Sequence, residues 1–125
     1  MTLPVVEAYN ILTTEETTKG IDWYTMEIPE QNRTIPSLPV GRITNINDEL
    51  TFYASNEPHY TVGYVQVDVW LTDLQGVNDV YQEMDRLMRK HGFKLDYSEF
   101  YRDRELTSSI RIIKRYHIIN KLEVK

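Results

Sequence analysis

Residues 64–71 read Tyr-Val-Gln-Val-Asp-Val-Trp-Leu, an alternation that puts Val65, Val67, Val69 and Leu71 on one side and Tyr64, Gln66, Asp68 and Trp70 on the other. A period of two marks an extended strand, because successive Cβ atoms point to opposite faces of a sheet. The Val face predicts packing against a helix. The other face joins two aromatics to two polar groups, the mixture expected where a partner, or a loop of the same chain, covers a surface. Ordinary strand propensity of Tyr and Trp accounts for it almost as well.

Downstream, Leu74, Val77, Tyr81, Met84, Leu87, Met88 and His91 recur at spacings of three and four, which predicts an amphipathic helix stopped by Gly92. Its acids lie toward the N-terminal part and Arg86, Arg89 and Lys90 toward the other end, complementing the helix dipole. Thr72 and Gln75 have capping-box spacing, and Asp85 stands one turn from Arg89, suited to an ion pair. Met84 and Met88 read as core residues. Residues 94–102 and 107–119 predict an antiparallel hairpin with a polar turn near Asp103 to Leu106. Its second strand points Ile110, Ile112, Tyr116 and Ile118 one way and Arg111, Ile113, Arg115 and His117 the other. The tail 120–125 extends that strand, adds to a neighbour's sheet, or frays.

Upstream, Val5, Val6, Tyr9 and Leu12 predict a helix over about 4–14, with Pro4 in its first turn. Trp23 to Ile28 predicts a strand stopped by Pro29, and residues 38–46 a second strand. Asn47 to Glu49 reads as a turn, and residues 50–60, broken by Ser55, Asn56 and Pro58, as a loop. Mobile loops are therefore expected at about 30–39 and 47–61. The whole predicts one α+β domain: a mostly antiparallel sheet of about four to five strands with two helices, the longer packed on one sheet face.

A length of 125 residues, 41% hydrophobic and 26% charged, suits a single folded domain and argues against global disorder. The chain has no cysteine, which removes disulfides, thiol catalysis and cysteine-ligated zinc together. No apolar run nears the roughly 20 residues needed to span a bilayer, so a soluble chain with no membrane partner is expected. Charge is uneven. Residues 1–92 hold 14 acids against 6 Lys and Arg, about −8, whereas 93–125 hold 5 against 8, about +3. Such asymmetry can steer copies together head to tail.

His59, His91 and His117 have no shared spacing that aims two rings at one metal, so neither metal nor cofactor is expected. No nucleophile elbow, Ser-Lys motif or phosphate-cradling loop occurs, and no enzyme activity is expected. Arg102, Arg104, Arg111, Lys114 and Arg115 interleave with Phe100, Tyr101 and Tyr116, but a pI near 5.2 weighs against independent nucleic-acid binding. The rival chemistry is a small nucleic-acid-processing enzyme that uses Asp68 with Asp96 or Glu99 around a divalent cation.

The N-terminal helix, the segment VGYVQVDVWL at 62–71, the helix VNDVYQEMDRLMRKHGF at 77–93 and the strand IRIIKRYHI at 110–118 together resemble the tail-terminator or tail-completion proteins of long-tailed phages of Gram-positive bacteria. The resemblance spans most of the chain and rests on length and element order. It implies a virion protein forming a hexameric ring at the head-proximal end of the tail tube, stopping tube growth and meeting the neck. Its partners would be further copies of itself, the tail-tube protein and a head-to-tail connector, with DNA passing through the lumen only transiently. A connector or stopper of the neck is the nearest alternative. The family supplies no catalytic residues. The interface candidates come from the residues themselves: Tyr64, Gln66, Asp68 and Trp70 from alternation, Arg111 and Arg115 from charge.

Overall fold

The Val face of residues 64–71 lies under two helices, as the alternation requires. The computed structural model describes residues 2–54 and 57–121, and for residues 47–54, 57–60 and 121 the backbone path alone. Five strands form one sheet in the order β1-β2-β3-β5-β4: β1 (Asp22–Thr25), β2 (Val40–Ala54), β3 (Glu57–Leu71), β4 (Lys94–Arg102) and β5 (Ile110–Lys121). Only β1 and β2 pair in parallel; the other neighbours are antiparallel. Helices α1 (Pro4–Thr14) and α2 (Leu74–Lys90) complete an α+β fold, and the longer helix, α2, contacts the sheet.

The core forms where two periodicities meet. Val77, Val80, Met84, Leu87 and Met88 of α2 pack with Val65, Val67, Val69 and Leu71 of β3 and Ile110, Ile112, Tyr116 and Ile118 of β5. Val5, Ala8, Ile11 and Leu12 of α1 cover Ile21, Trp23 and Ile43 in the same cluster. The expected stripe of α2 is the buried one from Val77 to Met88, widened by Val80, while its end residues Leu74 and His91 are exposed; in α1 the stripe is turned, with Ala8 and Ile11 buried and Val6 and Tyr9 facing outward.

Helix α2 is bounded by local chemistry. Its N-cap is Asp73, whose carboxylate accepts from the Gly76 N–H at 2.8 Å, and not the expected Thr72–Gln75 box. At the other end Gly92 takes φ 94°, Phe93 N–H bonds Met88 O at 2.9 Å and Gly92 N–H bonds Arg89 O at 3.1 Å. This is a Schellman closure, and it drops Phe93 into the core.

Strand β1 stops at Thr25, short of the expected Ile28, because Met26 adopts φ 68° while its N–H still bonds Ile43 O at 2.8 Å. Residues 30–39 carry two 3₁₀ turns, Glu30–Asn32 and Ile35–Ser37.

The largest departure lies at 47–61. Neither the expected turn at Asn47–Glu49 nor the expected loop is present: β2 and β3 run on as a hairpin paired from Asn47↔Tyr64 to Ala54↔Glu57, past a bulge at Ile46. The turn-forming residues there mislead because cross-strand pairing, a non-local effect, overrides local preference. Ser55 and Asn56, read as loop breakers, and residues 122–125 of the tail lie outside the described residues.

Gly41 is fixed by its neighbour. It pairs with Trp23, and a Cβ there would lie 2.4 Å from two atoms of the indole ring. That ring is buried and tethered by its Nε1–H to Thr18 O at 2.9 Å, so it has little freedom to move away. Gly41→Ala is expected to cost about 1–3 kcal/mol or somewhat more, read as a lowered denaturant midpoint. Shortening the indole in a Gly41→Ala/Trp23→Leu double variant should then cost less than the two single changes added together; simple additivity would contradict the clash.

Candidate functional site

The face of the sheet turned away from the helices holds all six residues singled out above, and the register brings them together. Asp68 pairs with Arg42 across β2 and with Ile113 across β5, so that Arg42 and Arg111 reach it from opposite sides. Asp68 is fully buried: Oδ1 accepts from Arg111 Nη2 at 2.9 Å and Nε at 3.1 Å, and Oδ2 from Arg42 Nη2 at 3.3 Å. Gln66 Nε2 donates to both oxygens, at 3.2 and 3.1 Å, while its Oε1 accepts from Arg115 Nε at 3.0 Å. Burial disfavours the Arg111 charge, but the attraction and hydrogen bonds of Asp68 outweigh it, so the guanidinium pKa is raised. Arg42 Nε, by contrast, is buried and has no hydrogen-bond partner among the described residues.

Both guanidiniums also lie over the Trp70 ring, 5.2 Å from its centroid for Arg42 and 5.0 Å for Arg111, in a double cation–π contact. Its Nε1–H donates to Asp103 at 2.5 Å. Burial would raise the Asp103 pKa, yet hydrogen bonds from the Glu105 N–H and from Trp70 lower it. The chain itself covers Trp70: Ile28 and Val40 bury it, with Tyr24, Leu38 and Leu106 packed around them. Of the two coverings open to this face, partner or loop, Trp70 has the loop.

The remaining candidates lie nearer solvent. Arg115 is exposed and sits 5.1 Å over the Tyr97 ring; Tyr64 is half-buried, 6.1 Å from His117. His117 Nδ1 is 2.7 Å from Asp96. Of the three acids of the rival enzyme, Asp68 is occupied by guanidinium and amide donors and Asp96 is turned to His117 at a bulge in β4, while Glu99 shares with Asp68 the cross-strand partner Ile113. Among the described residues no group of three His, Asp or Glu is placed to hold a metal ion. No helix among them is long and apolar enough to cross a membrane.

A second polar cluster, on the helix side, was hidden in the sequence. Lys114 is fully buried; its Nζ donates to Asp85 Oδ2 at 3.0 Å and Ser98 Oγ at 2.8 Å, and lies 3.7 Å over the Tyr81 ring. Tyr116 donates to Asp85 Oδ1 at 2.6 Å, and Ser98 to the Tyr81 hydroxyl at 2.6 Å. Asp85 therefore faces inward to the sheet, not along its helix to Arg89, since a buried ammonium needs a counter-ion more than an exposed one does. The cluster fastens α2 to β4 and β5.

This cluster sets a pH dependence. Burial, reinforced by Asp85, raises the Tyr116 pKa above its ordinary 10.0, so the folded chain keeps a proton that the unfolded chain releases. Its stabilisation is whole below about pH 10 and is lost as pH rises further. Lys114 works oppositely: burial lowers its pKa against the pull of Asp85, so stability rises with pH toward the unfolded lysine value. Tyr116→Phe removes only the first effect. Urea midpoints between about pH 9 and 11 should fall less steeply in that variant than in the parent, and an equal fall would contradict the assignment.

The sheet also ends in two open edges. At one, β1 covers β2 only from Val40 to Ile43, so the outer edge of β2 carries no strand from Thr44 to Ala54 among the described residues. At the other, β4 is exposed along nearly its whole length, with Leu95, Tyr97, Phe100 and Tyr101 open to solvent. No protein-family model matches this sequence, and no curated protein matches it. The surface itself therefore carries the functional argument.

Proposed function

We propose that the chain is a structural protein of a phage virion that closes into a ring on the head-proximal end of the tail tube, ends tube growth and offers a surface to the neck. The observation that supports this most is the pair of unlike open edges on a single sheet. An edge strand presents unpaired N–H and C=O groups and recruits another strand unless it is blocked. Two different edges on one subunit give a heterologous contact, which makes a ring when its rotation closes and a filament when it does not. The resemblance over residues 62–71, 77–93 and 110–118 adds the tail-terminator role to this assembly behaviour, and the mostly antiparallel α+β fold is the one that resemblance implies.

The polar face fits a mechanical role. Asp68, Arg42, Arg111 and Gln66 are occupied with one another, which stiffens the sheet and leaves Arg115, Tyr64 and Tyr97 as the outward contacts. The test is polymerisation of the cognate tail-tube protein with and without this chain, followed by electron microscopy. Short tubes of uniform length bearing extra density at one end are expected. Tubes of unchanged length with bare ends would refute the terminator role, and density only on isolated neck complexes would favour the connector alternative.

A further inference from the structure

We infer that the two open edges fit each other: strand β4 of one copy adds antiparallel to the free edge of β2 in the next, and its helix-side apolar residues enter a groove beside α1. The inference rests on the self-assembly proposed above and names the surfaces that carry it.

Topology fixes the direction. Strands β2 and β5 are both antiparallel to β3, and β4 is antiparallel to β5, so β4 runs opposite to β2. Two copies placed side by side in one orientation, helices on a common side, therefore meet as an antiparallel pair, which is the simplest way to extend this sheet. The lengths agree. The free edge of β2 runs from Thr44 to Ala54, and β4 spans 9 residues. The free edge is displaced along the strands from the level of β4 in its own copy, an offset that a closed ring absorbs as strand tilt.

The side chains agree as well. Where β1 stops, a groove of about 360 Å³ opens beside β2, lined by Leu3, Val5, Val6, Thr25, Met26 and Asn45. Leu3 and Met26 are 58% and 57% exposed, an unusual concentration of apolar surface at one sheet edge. Met26 is held there at φ 68°, backbone that L-residues with long side chains rarely adopt, and local strain of this kind collects at functional contacts. On β4 the helix-side residues Leu95 and Phe100 are 44% and 47% exposed, and they lie on the same side of the sheet as the groove. Strand β4 carries Lys94 and Arg102 against Asp96 and Glu99, so the pairing rests on strand direction, length and apolar contact and not on net charge.

A chain without native cysteine allows a clean test. Met26→Cys is combined with Phe100→Cys in one variant and with Leu95→Cys in another, and both are oxidised under native conditions. A non-reducing gel should show a ladder of covalent multimers in at least one of them, collapsing to monomer on reduction. A Val6→Asp variant, whose exposed position spares the core, should keep the parent's melting temperature and lose at least tenfold in self-association. If the parent assembles while neither cysteine pair yields a ladder and Val6→Asp assembles normally, this contact is wrong and another surface makes the ring. If the parent itself never assembles, alone or with tube protein, the assembly reading fails with it.

Discussion

Asp85→Ala is expected to be the most damaging single substitution in this chain, lowering stability by about 3–5 kcal/mol. It strips the counter-ion from Lys114, which has no exposed surface, and leaves the Tyr116 hydroxyl without its acceptor. Among the described residues, Lys114 would keep Ser98 and the Tyr81 ring as partners, and neither carries charge. A domain of this size has about 5–15 kcal/mol to lose in total, so the melting temperature should fall by about 10–20 °C. Replacing the pair by apolar residues, Asp85→Leu with Lys114→Met, should recover most of that loss, because buried ion pairs are costly to break but cheap to exchange for packing. A single variant losing under about 1 kcal/mol would mean that Lys114 finds water when its partner goes. Differential scanning calorimetry on the three proteins decides it.

Asp68→Ala should come second, at about 2–4 kcal/mol. The figure is smaller because the two guanidiniums it leaves facing one another retain 24% and 22% of their side-chain exposure, so solvent screens part of the repulsion. The loss should be accompanied by a change in tryptophan fluorescence, since Arg42 and Arg111 both lie over the Trp70 ring and would reorient. Asp68→Asn keeps one acceptor oxygen and should cost less. Millimolar Mg²⁺ should leave the melting temperature of the parent unchanged, because both Asp68 oxygens already receive donors. A rise in melting temperature on adding the metal would favour the metal-dependent enzyme, since a ligand that binds only the folded state stabilises it.

The architecture was legible where a single period ran long enough. Val65 to Leu71 and Val77 to Met88 each hold one face over several repeats, so strand and helix follow from the pattern. Lys114 shows how a strong prior conceals a correct parity. The alternation Ile110, Ile112, Lys114, Tyr116, Ile118 already puts that lysine on the buried face, but its counter-ion lies 29 residues away on another element. The arm at 47–61 was illegible for a different reason. Asn47, Asp48 and Pro58 are turn and breaker residues, and only pairing between distant strands keeps them extended. For the site, the alternation of 64–70 correctly grouped Tyr64, Gln66, Asp68 and Trp70 on one face. It could not show that Asp68 recruits Arg42 from β2, nor that the segment around Ile28 and Leu38 folds back over Trp70. The apolar groove depends on where β1 stops, which the left-handed Met26 decides, and no periodicity announces that.

Assembly through unlike edges is the claim on which the functional account turns, and native mass spectrometry of the purified full chain over a range of concentrations tests it most directly. A single closed species, six copies if the tail-terminator resemblance holds, should appear either alone or on adding tube protein, with no ladder of open intermediates beyond it. A chain that stays monomeric at every concentration and in the presence of tube protein would contradict the account.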